Sequence, residues 1–71
     1  MTTISNAEEA INAADHFMRK YYSYMRPLSA KQDEQTWLVV FDVGVVKIQR
    51  VEVRIESETG SILEFNDLSQ S

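Results

Sequence analysis

The sequence predicts an α+β domain, a single N-terminal helix packed on a three-stranded antiparallel meander in the order α-β-β-β. Three observations carry it. Apolar residues recur at three- and four-residue steps from Ala7 to Met25, the period of one helical stripe. From Trp37 onward the period falls to two, which is that of strands. The connections between those later segments are short, and short connections join antiparallel neighbours. A length of 71 residues, 44% of them hydrophobic and 25% charged, fits one small folded domain.

The helix is predicted over about residues 6–26. Ser5 and Glu8 match the S-x-x-E capping box, with Ser5 as the N-cap. Ala7, Ala10, Ile11, Ala14, Phe17, Met18, Tyr21 and Met25 form the apolar stripe, and Asn12, His16, Arg19, Lys20 and Ser23 fall opposite. Glu8 and Glu9 open the helix, while Arg19, Lys20 and Arg26 lie toward its far end, the order that suits the helix dipole. Asp15 and Arg19 form an i,i+4 pair worth about 0.3 kcal/mol. Pro27 disfavours helical geometry at Arg26. Leu28 to Gln35 is polar and reads as a connecting loop.

The strands are predicted at about 36–42, 45–57 and 61–66, with a frayed tail at 67–71. Trp37, Val39 and Phe41 alternate with Leu38, Val40 and Asp42. Asp42-Val43-Gly44 then offers a turn. The apolar phase changes parity between Ile48 and Val51, so a continuous strand from Val45 to Ser57 needs a bulge near Gln49-Arg50. The rival is a long loop from Asp42 to Gln49, which leaves Val43, Val45, Val46 and Ile48 outside the sheet. In the last hairpin Glu58-Thr59-Gly60 suits a three-residue loop with glycine in the left-handed region. That register sets Ser57 opposite Ser61, Ile55 opposite Leu63, Val53 opposite Phe65 and Arg54 opposite Glu64.

The stretch Val53-Arg54-Ile55-Glu56-Ser57-Glu58-Thr59-Gly60-Ser61-Ile62-Leu63, after Trp37-x-Val39-x-Phe41, resembles PepSY-type domains, which place a helix before a small sheet and end in a T-G hairpin. Cystatin-like helix-on-sheet folds share this layout. Glu56 and Ser57 stand where those domains usually carry Asp-Ala. The resemblance implies a non-catalytic binding or inhibitory module, often linked to peptidases. It assigns no functional residues here.

Composition narrows the chemistry. There is no cysteine, so disulfides, thiolate metal sites and cysteine nucleophiles are excluded. Gly44 and Gly60 are the two glycines, too few for a glycine-rich phosphate cradle. His16 is the one histidine and lies on the polar side of the helix without a converging ligand set. Tyr21, Tyr22 and Tyr24 cluster at the helix end, where amphipathic rings seal a core edge. Lys47, Arg50 and Arg54 interleave with Glu52 and Glu56, a self-paired solvated face. A net charge of -4 argues against nucleic acid. No apolar run reaches the length of a membrane span, and the N-terminal residues lack the pattern of an export signal. The expectation is a cytoplasmic protein with no cofactor, no metal and no nucleic-acid or membrane partner.

An apolar excess remains. One helix covers one face of three strands, yet Leu38, Val40, Val43, Val45 and Ile62 point to the other. Exposed contiguous apolar surface marks interaction sites, and an uncharged edge strand at Thr36–Phe41 invites pairing. The sequence therefore reads as a protein-contact module, a homodimer or a partner of another protein. The second reading is a small-molecule binder or enzyme with a pocket near Tyr21, Tyr24 and Trp37.

Overall fold

The computed structural model describes residues 3–67. It is α+β, with one helix, α1 (Ala7–Met18), and four strands, β1 (Arg26–Asp33), β2 (Thr36–Asp42), β3 (Arg50–Glu56) and β4 (Ile62–Asp67). The strands form one antiparallel sheet in the order β1-β2-β3-β4. The meander thus has four strands where the sequence predicts three. Residues 68–71 of the expected tail lie outside the described residues.

The helix starts one residue later than the capping-box reading places it. Asn6 is the N-cap, and its Oδ1 accepts from the Glu9 backbone N–H at 2.9 Å. Glu9 reaches back, its Oε1 accepting from the Ser5 backbone N–H at 2.7 Å and the Ser5 hydroxyl at 2.8 Å. These bonds hold the Glu9 carboxyl below the usual glutamate range. The box chemistry is kept and its register slips by one residue. Ala10, Ala14 and Met18 are fully buried. They sit one above the other at four-residue spacing, and two small side chains let the helix lie close to the sheet.

The helix ends at Met18 rather than near residue 26, with Arg19 as C-cap. The backbone N–H groups of Tyr21 and Tyr22 both donate to the Met18 carbonyl, at 2.9 and 3.0 Å. Tyr, Tyr, Ser and Tyr are indifferent helix formers, and the Tyr21 and Tyr22 rings meet Phe65 of β4.

Residues 28–35 are not a connecting loop. Most of them form β1, which pairs with β2 from Arg26↔Asp42 to Asp33↔Thr36. Only Ala30 in β1 is partly buried, so the strand carries no alternating signal. Pro27 is tolerated because β1 is an edge strand and the register shifts between Pro27 and Ser29. As a result β2 is an inner strand, and the edge expected at Thr36–Phe41 is covered.

The core lies between α1 and one sheet face. Trp37, Val39 and Phe41 of β2 and Val51, Val53 and Ile55 of β3 are buried there, joined by Ile4. Ile4 donates its backbone N–H to the Ser57 carbonyl at 2.6 Å, which anchors the segment before the helix. The open face runs in rows across the strands: Lys31, Leu38, Arg54 and Glu64, then Ser29, Val40, Glu52 and Asn66. Arg54 bridges this surface, 3.5 Å from Glu64 and 3.9 Å from Asp33.

The β3–β4 hairpin keeps Val53↔Phe65 and Arg54↔Glu64, but Ile55 pairs with Ile62, not Leu63. Leu63 is the extra residue of a bulge, and Gly60 takes the expected left-handed conformation at φ 75°. Segment 43–49 is a loop, not the first half of a bulged strand.

The β1–β2 turn places Glu34 at φ 56°, a region in which a side chain costs about 1–2 kcal/mol. Glu34→Gly is expected to raise unfolding free energy by about 0.5–1 kcal/mol, measured by denaturant titration. A decrease would show that the turn is not strained at that position.

Candidate functional site

One end of the sheet concentrates the unusual features. There β2 runs out at Asp42, the only polar residue among the buried side chains of the described chain, 4% exposed. Its Oδ1 accepts from the backbone N–H of Gly44 at 3.0 Å and of Gln49 at 3.1 Å, and its Oδ2 accepts from Arg26 Nη2 at 3.1 Å. The Val43 N–H donates to the Gln49 carbonyl at 2.8 Å. One carboxylate thus binds both feet of the 43–49 loop and the start of β1. The Gln49 and Gly44 amides, then Arg26, outweigh burial and hold the Asp42 carboxyl below its ordinary range.

Gly44 is required by close approach. A Cβ there would overlap the Lys47 carbonyl oxygen and sit 2.9 Å from the Gln49 nitrogen. The loop is therefore drawn tight at its base. Beyond the base it exposes its apolar side chains: Val45 is 82% exposed, Val46 98% and Ile48 62%. Lys47 stands among them, also exposed.

Beside this loop lies an apolar hollow of about 350 Å³ lined by Phe17, Tyr21, Tyr22 and Phe65. Its rings meet at 5.6–6.3 Å between centroids, Tyr22 stacked on Phe65 and the other pairs tilted or edge-on. Burial, and then the Asp67 carboxylate nearby, push the Tyr22 phenol above its usual value. Gln49 Nε2 donates to Asp67 Oδ2 at 3.2 Å. That bond sets the foot of the loop against the strand end that carries Phe65, so protrusion and hollow adjoin.

The five residues expected on one open sheet face do not come together. Leu38 and Val40 are on that face, half-buried between the charged and polar neighbours of their rows. Val43 is buried in the core. Ile62 lies opposite Ile55 and packs against the core on the helix side. Val45 alone is fully presented, and it sits in the loop. The pocket expected near Tyr21, Tyr24 and Trp37 includes only Tyr21. Trp37 is in the row of Ile55 and Ile62, two strands from Phe65, with its indole N–H buried and without a protein acceptor.

His16 is exposed on α1. Among the described residues no group of three His, Asp or Glu side chains is arranged to hold a metal ion, and no helix is long and apolar enough to cross a membrane. A second hollow at the far end is lined by Asp33, Glu34, Gln35, Thr36 and Arg54, where the Arg54 charge is shared with Asp33 and Glu64. Comparison with known proteins found no matching family model, no matching curated protein and no matching solved structure.

Sequence reasoning misses Val46, Ile48 and the Phe17–Phe65 pairing. The alternation of Val46 and Ile48 reads as a strand. Phe17 and Phe65 are each visible as apolar, but their meeting depends on how α1 lies across the sheet.

Two expectations follow from the loop's anchor. A carboxyl whose folded-state pKa is depressed lends stability above the unfolded value and loses it as pH falls through the folded one. The Gly44 and Gln49 amide shifts should therefore titrate with a midpoint below the ordinary aspartate value of about 3.9, and D42N should flatten both curves. A midpoint at or above that value would contradict the geometry. Gly44→Ala should cost about 1–3 kcal/mol through forced backbone displacement, with chemical-shift changes centred on residues 43–49. A silent substitution would show that the loop is not drawn tight.

Proposed function

We propose that this chain is a non-catalytic contact module that works by presenting the 43–49 loop to another protein surface. The exposure of Val45, Val46 and Ile48 on a tied loop carries the reading. Large aliphatic side chains gain about 1.5–3 kcal/mol each on burial. A slack loop would fold them onto its own domain, whereas this one is fastened at both feet. The surface is thus the loop and not the open sheet face, where Leu38 and Val40 are interleaved with charge. The prominent acids support a structural rather than a chemical role: Asp42 is engaged by two amides and Arg26, and Glu9 by Ser5. The resemblance of the Val53–Leu63 stretch to PepSY-type domains implies the same kind of activity, binding without catalysis.

The aromatic hollow favours a second reading, a small apolar ligand. Its volume of about 350 Å³ is at the low end of the range for ligand sites. Saturable shifts of the Tyr21 and Tyr22 ring resonances would report such a ligand.

A photoreactive benzoylphenylalanine in place of Val46 tests the contact reading in the native cell. It should give a discrete protein adduct, while the same group in place of Thr59, exposed at the opposite end of the sheet, should give none. Absence of a protein adduct at position 46, or equal labelling at both positions, would overturn the reading.

A further inference from the structure

We infer that the partner is a second copy of this chain, in a twofold dimer where each 43–49 loop seats Val45 and Val46 in the other copy's aromatic hollow. This rests on the contact reading above and names its partner.

Three observations carry it. The first is complementarity of shape and polarity. The loop is convex and apolar, and the hollow is concave and lined by four aromatic residues. An apolar cavity of about 150 Å³ holds a benzene molecule, so about 350 Å³ has room for two branched aliphatic side chains. The loop does not fill its own hollow, since Val46 is almost wholly exposed.

The second is placement. The Gln49–Asp67 bond joins the loop's foot to the end of β4, and Phe65 of the hollow is two residues before Asp67. A protrusion and a matching recess side by side form a self-complementary patch. A twofold axis between them brings each loop onto the other copy's recess and closes the assembly at two copies.

The third is area. A stable interface takes about 800 Å² from each partner, about a sixth of the 4883 Å² surface of this chain. One four-residue tip falls short of that, and reciprocal insertion doubles what it supplies. Charge fits as well. Lys47 at the tip would approach a rim bearing the Asp67 carboxylate, which already accepts from Gln49. The like charges there are Lys20, whose ammonium is engaged over the Phe17 ring at 5.6 Å, and Arg50, which opens β3 beside the Val51–Asp67 pair.

Sedimentation of the full chain over a range of concentrations, with Val46→Asp and Tyr21→Lys, tests the arrangement. Both positions are exposed, 98% and 61%, so folding should be retained, as circular dichroism will check. The wild type should form a dimer. Each variant should weaken it at least about tenfold, as loss of a central anchor does. An equimolar mixture of the two should associate more tightly than either alone. The mixed pair keeps one native loop-in-hollow contact, and in the other it sets the introduced carboxylate against the introduced ammonium. A wild type monomeric throughout, a dimer indifferent to both variants, or a mixture no tighter than its components would overturn the proposal. So would a monomer that binds vesicles of equal parts phosphatidylcholine and phosphatidylglycerol through Val46. A position-46 adduct with a different protein would overturn the second copy while leaving the contact reading intact.

Discussion

The carboxylate of Asp42 is the constraint on which the rest of this end of the molecule depends. It sits at the last residue of an inner strand, where the chain must leave the sheet and return as β3. Its two oxygens take three donors from three places: the residue two ahead, the residue seven ahead, and the first residue of the edge strand. A buried carboxylate is tolerable only when it is paired and hydrogen-bonded, and here the satisfaction of the charge is also what shapes the loop. The consequence is thermodynamically unusual. A domain of this length is stable by about 4–11 kcal/mol, and leaving three aliphatic side chains wet forgoes an amount of the same order. A chain free to relax would recover it. The polar anchor holds the apolar tip in water.

Much of the fold was legible because each local signal had a single reading. The alternation from Trp37 to Phe41 and from Val51 to Ile55 marks strands whose alternate residues are all fully or almost fully buried. Gly60 marks its turn because only a left-handed residue fits there. The failures have physical causes. β1 was invisible because an edge strand with both faces wet has no period to read, and Pro27 argues against a strand except where the ladder is already broken. The sequence carries the helix too far because Tyr21 and Met25 continue its stripe, although tertiary packing against Phe65 decides where Tyr21 and Tyr22 go. At the 43–49 loop the alternation of Val46 and Ile48 competes with the Asx-turn chemistry of Asp42 and the close approach at Gly44. The turn chemistry wins because the carboxylate reaches Gln49 as well, a partner seven residues away that no local pattern announces.

The candidate site was legible in kind but not in place. An excess of apolar residues over hiding places is a count, and counting needs no topology. Assigning the excess to a surface does. Once β1 joins the sheet, Leu38 and Val40 gain flanking neighbours on both sides, Lys31 and Ser29 on one and Arg54 and Glu52 on the other. Once the bulge at Leu63 shifts the hairpin by a residue, Ile62 crosses to the helix side. The first correction leaves Leu38 and Val40 half-covered on the open face, the second takes Ile62 off it, and the loop carries the most exposed of the apolar residues.

The hollow originates in the width of the sheet. A 12-residue helix is about 18 Å long and packs on β1, β2 and β3. The fourth strand is left to Phe17, Tyr21 and Tyr22, whose rings cover Phe65 without closing over it. Tyrosine suits that position, since its body packs and its hydroxyl stays wet, so a hollow walled by it is tolerable in an unpartnered chain. Valine and isoleucine have no polar end to offer. Of the two neighbouring features, the recess is what a helix covering only part of a four-stranded sheet leaves behind. The loop is different, because its tip gains nothing from solvent and its anchor prevents retreat. That asymmetry is the physical reason to treat the loop as the part that acts and the recess as the part that receives.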